Sequence, residues 1–194
     1  MLETPLRRAV AFVAVANLAY FGIEFAVALK IGSVSLFADS IDFLEDASIN
    51  ALIFFALAWS MKTRARVGMA LAAILIVPGV ATVWAAWSKI AAPVPPEPFA
   101  LSITGLGALA VNLSCALVLA HFRHHSGSLT RAAFLSARND ALANLGIIAA
   151  GLATAALGSV WPDVFVGLAV GALNAGAARE VWEAARRDAM DARA

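Results

Sequence analysis

The sequence predicts an all-α integral membrane protein of six transmembrane helices with both termini on the cytoplasmic side. Composition is the first ground: 62% of the residues are hydrophobic, 14% are charged and the mean hydropathy is +0.84, far from the averages of soluble domains. Apolar runs are the second. Stretches of about 20 residues, the length that spans a ~30 Å hydrocarbon core, recur near 8–29, 34–60, 68–88, 100–121, 131–157 and 164–183. The third is charge asymmetry. Arg7, Arg8, Lys62, Arg64, Arg66, Arg123, Arg131, Arg186, Arg187 and Arg193 fall on one side of the six runs, and only Lys30 and Lys89 on the other, which sets orientation by the positive-inside rule.

The first run begins with Arg7 and Arg8 and contains Ala26-Val27-Ala28, which imitates a signal-peptide cleavage site, but it is too long for an h-region and holds Glu24. Run two is the acidic one. Run three contains Pro78-Gly79, read as a kink. Runs three and four are separated by Pro93, Pro95, Pro96 and Pro98. Run four carries the lone Cys115, read as a small packing residue, and ends among His121, His124 and His125, read as a solvated patch beside Arg123. Runs five and six are rich in Gly and Ala, with Gly167, Gly171, Ala175 and Gly176 read as close helix packing. Basic Met61–Val67, Phe122–Thr130 and the tight Gly158–Asp163 are read as connections. Trp84, Trp87, Trp59, Trp161 and Trp182 suit the interfacial belt. Residues 1–183 form one transmembrane domain and 184–194 a short cytoplasmic tail, giving a multi-pass protein of the cell (inner) membrane. A net charge of +1 and a pI near 8.0 point away from nucleic acid as a partner.

Function is concentrated in a few acids. An ionised side chain at mid-bilayer costs at least ~2.5–3.5 kcal/mol, so burying one calls for a partner, a cation or a proton. In run two, at about 100° per residue, Asp39, Asp42, Glu45, Asp46 and Asn50 share an arc of roughly 140°. Asp42 and Asp46 are i and i+4 neighbours with Cβ atoms about 5–6 Å apart, close enough to reach one cation. Run five repeats the spacing in Ser136, Asp140 and Asn144. With run two entering from outside and run five from inside, Asp42 and Asp140 each lie roughly 12–14 Å into the core. The expected result is an oxygen-rich site for a divalent metal ion near the midplane. Arg138 points away from the Ser136/Asp140 face.

With these residues the chain resembles the cation diffusion facilitator family of divalent-metal/proton antiporters. The resemblance runs through Asn17, Tyr20, Phe21 and Glu24, the Gly32-Ser33-Val34-Ser35-Leu36 segment, the Asp42-x-x-x-Asp46 pair, Asp140 and Trp161-Pro162-Asp163. It implies a metal held by Asp42, Asp46, Ser136 and Asp140. Around them Asp39, Asn50, Asn144 and Glu24 are candidates to orient ligands or carry protons, and Glu45 is either such a group or a packed acid hydrogen-bonded to a neighbouring helix. It also implies export of Zn2+ or a related ion (Mn2+, Fe2+, Co2+, Cd2+) as substrate, no resident cofactor, no enzyme activity, and a homodimer. Two departures stand out. Ser136 occupies the position where the family pattern has histidine, which tilts the donor set from zinc toward harder ions such as manganese, iron(II), cobalt or magnesium. The family's cytoplasmic metal-binding domain is also expected to be missing after run six. Rival readings are a membrane enzyme whose aspartates hold Mg2+ against a diphosphate, and a non-transporting metal-sensing or scaffold subunit.

Overall fold

The structure, a computed structural model, describes residues 3–56, 61–121 and 127–191. They form six helices: α1 (Glu3–Ile31), α2 (Val34–Ala56), α3 (Met61–Ala91), α4 (Pro98–Ala120), α5 (Gly127–Leu157) and α6 (Trp161–Asp191). No strand occurs among the described residues. By length and composition alone, Pro5–Ile31, Pro98–Ala120 and Ala137–Leu157 are apolar enough to cross a membrane. In α2 the reason for falling short is visible: it carries Asp39, Asp42, Glu45 and Asp46.

Local chemistry sets the helix ends. α1 stops at Gly32, which adopts φ +65°, a left-handed conformation that glycine reaches without a Cβ penalty. Ser33 then caps α2, its Oγ accepting from Leu36 N at 3.1 Å. Gly158, at φ +58°, ends α5 in the same way. Pro98 opens α4 behind a Glu97 cap, whose side chain accepts from the backbone N–H groups of Phe99 and Ala100.

Several helices run further than hydropathy predicts. Met61–Val67 and Gly127–Thr130, expected in connections, are the first turns of α3 and α5, and residues 184–191 continue α6. The turn after α5 is correspondingly shorter, since α6 begins at Trp161. Hydropathy reports the lipid-crossing part of a helix, whereas backbone hydrogen bonding continues into water on a charged surface. α3 is helical without interruption through Pro78 and Gly79. The side chains of Trp59 and Trp182, and residues His124 and His125, lie outside the described residues.

Among the described residues α2 is the only helix that touches all five others; α1 packs on α2 and α4, α4 on α5, and α3 on α6. α4 and α5 come close through small residues: a Cβ on Gly151 would meet backbone atoms of Ser102 and Pro98, and one on Gly105 would meet Ile147. Gly167 lets α6 approach the α2 backbone at Val34 and Ser35, and Gly171 lies against Thr82 of α3. A Cβ on Gly176 would meet nothing within 4 Å and Ala175 is exposed, so the packing expected of those two is absent among the described residues. Large apolar side chains such as Phe12, Leu117, Leu152 and Phe165 point outward, as lipid requires.

The interior is layered. Towards the α1–α2 turn, Ala28, Leu36, Leu101 and Ile147 form one buried apolar cluster. Towards the N-terminal end, Val10, Val13, Cys115, Ala116, Leu119 and Ala137 form another, with Phe54 of α2 packed against it. Between them the buried stripes of α1, α2, α4 and α5 turn polar, through Asn17, Glu24, Asp39, Asp46, Asn112 and Asn144.

Candidate metal site

The polar layer is positioned from the start of α2. Asp163, in the first turn of α6, accepts four hydrogen bonds there: Ser33 Oγ at 2.6 Å, Val34 N at 2.8 Å, Ser35 N at 3.1 Å and Ser35 Oγ at 2.6 Å. A carboxylate at the α2 N-terminus satisfies N–H groups that no intrahelical carbonyl reaches, and its charge complements the helix dipole. Lys89 of α3 donates to Gly32 O at 2.5 Å, and Asn174 of α6 donates to Ala38 O at 2.9 Å. Helices α3 and α6 therefore hold the first turns of α2, and the helical repeat fixes where its acids point.

Those acids point into the bundle. Asp39, Glu45, Asp46 and Asn50 are buried, while Asp42 and Asp140 keep partial exposure. The carboxyl groups of Asp42 on α2 and Asp140 on α5 face each other, with Asp46 close enough to act on Asp140 electrostatically. Glu45 lies near Asp42 and Asp46, and its Oε1 has no hydrogen-bond partner. Asn50 donates to the backbone carbonyl of Asp46 at 2.9 Å, leaving its own Oδ1 without a partner. Among the described residues no three His, Cys, Asp or Glu side chains close on a common point tightly enough to hold an ion. The Ser136 side chain lies outside the described residues. Asp42 and Asp140 are thus brought together, with Asp46 beside them.

A second group lies one turn along α2. Asn112 of α4 donates through Nδ2 to Asn144 Oδ1 at 3.0 Å, and Asn144 Nδ2 donates to Asp39 Oδ2 at 2.6 Å. Glu24 of α1 faces Asp39. Sequence reasoning missed Asn112, whose only signal is an amide within a strongly apolar run, and it assigned no role to the Asp163 anchor. On α1, buried Asn17 accepts from Cys115 Sγ at 3.8 Å. Tyr20 donates to Thr104 O at 2.6 Å and packs on Phe43. Arg138 is exposed and donates to Asn139 Oδ1, away from the acids. His121 is exposed at the end of α4.

Residues 10–187 match the cation efflux transmembrane domain. The chain belongs to the cation efflux family. No curated protein matches it. Members of the family are cation transporters and not enzymes, so this cation efflux protein is a multi-pass membrane protein whose substrate class is a cation. The match covers every helix that contributes to the polar layer.

Proposed function

We propose that this cation efflux protein exchanges a divalent metal ion for protons across the membrane, with Asp42, Asp46, Ser136 and Asp140 as the groups that take the ion. The observation that carries the reading is the meeting of Asp42 and Asp140 from two helices within a polar layer bounded by apolar clusters. Like charges so placed cannot both persist in low dielectric without a counter-ion or a proton. Protons and the metal therefore compete for the same oxygens. Metal binding releases protons on one side, and protons displace the metal on the other once the helices have rocked.

In this reading both termini lie in the cytoplasm of a cell (inner) membrane, which the basic ends support, with residues 1–183 as the transporting unit and 184–194 as its tail. Zn2+ is the family's expected cargo. The carboxylate-rich donor set with a serine in the fourth position favours Mn2+, Fe2+ or Co2+ over a nitrogen-rich zinc centre, with Cd2+ also among the ions to be tested. A homodimer is the proposed assembly. Glu24, Asp39, Glu45, Asn50 and Asn144 orient the ligands or pass protons.

Flux in proteoliposomes across this panel of ions, recorded together with lumenal pH, tests the reading. Asp46→Asn and Asp140→Asn should each lower metal flux at least about tenfold, since even loss of a group behind a metal ligand costs ~10–100-fold in affinity or activity. Wild-type flux in either variant would sink the assignment. Ser136→His should shift preference toward Zn2+, and an unchanged ion profile would place selectivity elsewhere.

A further inference from the structure

The Glu24–Asp39 pair stands apart from the four groups proposed to take the ion. Asp39 precedes Asp42 by one helical turn, about 4.5 Å along the axis at ~1.5 Å per residue, on the side of the α1–α2 turn. Asp42 and Asp140 keep partial exposure, but Glu24 and Asp39 are fully buried, each 0% exposed. They lie beneath the apolar cluster of Ala28, Leu36, Leu101 and Ile147.

Hydrogen bonding at this pair is lopsided. Asp39 Oδ2 is held by Asn144, whose amide is itself oriented by Asn112. Asp39 Oδ1 and both Glu24 oxygens meet no N–H or O–H donor from any other described residue, and the two carboxyl groups lie within hydrogen-bond reach of each other. A buried acceptor left this way forfeits about 1–3 kcal/mol, more when charged. Here three such acceptors, from α1 and α2, sit together while the amide chain keeps the remaining oxygen turned away. Such an arrangement has a use if a positive ion enters between the two side chains.

We propose that Glu24 and Asp39 form a second cation subsite, on the α1–α2 turn side of the Asp42/Asp140 pair, taking a hard cation between a carboxylate of α1 and one of α2. Its donors are all oxygens, so it suits Mn2+ or an alkali cation over ions that prefer nitrogen or sulfur. An ion leaving Asp42 and Asp140 reaches it after one helical turn. Because α1 contributes nothing to the four-ligand set, filling this subsite would also draw α1 onto α2. The inference rests on the transport reading only for why a second cation should be there.

Binding of Mn2+, Zn2+ and Na+ to the purified full chain in nanodiscs, counted by equilibrium dialysis, tests it. Wild type should take up one ion more than Glu24→Gln, a substitution that keeps the side chain's shape and leaves an amide able to donate to Asp39. Asp39→Asn should lose the same ion. Asp42→Asn/Asp46→Asn should lose a different one and keep that at Glu24. A second site filled by Mn2+ or Zn2+ identifies it as a station for the cargo, and one filled by Na+ identifies a separate coupling ion. Equal uptake by wild type and Glu24→Gln for all three ions overturns the subsite, as it would if the pair simply held a proton. Loss at Glu24 with no loss in Asp42→Asn/Asp46→Asn would overturn the transport site and leave this one standing. Melting temperatures of the ion-free variants matching wild type to within a few degrees would show that the counts compare folded proteins.

Discussion

Asp163 concentrates more hydrogen bonds than any other side chain among the described residues, and all four go to the first residues of α2. Asp163→Asn keeps the shape but replaces one acceptor oxygen with an N–H donor, which then faces donors on Ser33, Val34 or Ser35. A buried donor without a partner costs about 1–3 kcal/mol, so the variant should lose about 2 kcal/mol or more of stability, read as a lower melting temperature in detergent. An unchanged melting temperature would show that the anchor contributes nothing. The acidic face of α2 was legible in the sequence because its members lie on one helix, where angular position follows from counting. The Asp163 anchor and the Asn112–Asn144–Asp39 chain were not. Each joins residues from different helices, up to 130 positions apart, and no local pattern encodes that pairing.

At the scale of helices, Gly167 is where α6 comes against α2. A Cβ there would lie 2.7 Å from Ser35 N and from the Val34 carbonyl carbon, and backbone cannot swing aside as a side chain can. Gly167→Ala should therefore destabilise by about 1–3 kcal/mol, the usual range for overpacking, and lower the yield of folded protein. Gly176→Ala, with nothing within 4 Å, should leave melting temperature and yield unchanged. Equal behaviour of the two variants would contradict the packing described. Both glycines looked alike in the sequence, since a small residue marks an opportunity for close approach without naming the partner. The existence and order of all six helices were legible from apolar runs. Their ends were less so: the extra turns at Met61–Val67 and after residue 183 are charged helix, which a hydropathy window reads as loop.

Over the whole molecule, a polar layer lies between two apolar clusters, and the cluster on the α1–α2 turn side seals Glu24 and Asp39 from that end. With Cys115→Ala as background, Leu101→Cys should react with a membrane-impermeant maleimide at least about tenfold more slowly than Val94→Cys, because labelling a buried position waits for an opening whose free energy sets the protection. Leu101 is buried and Val94 lies exposed in the proline-rich connection. Comparable rates would mean that this cluster does not close the layer. Because α2 is pinned at Ser33–Ser35 and meets every other helix, its length to each acid acts as a phase. One residue inserted between Phe37 and Ala38 would turn everything beyond it by about 100°, parting Asp39 from Glu24 and Asn144 and Asp42 from Asp140 at a single stroke. Along this segment the chain can change residue type far more readily than residue number.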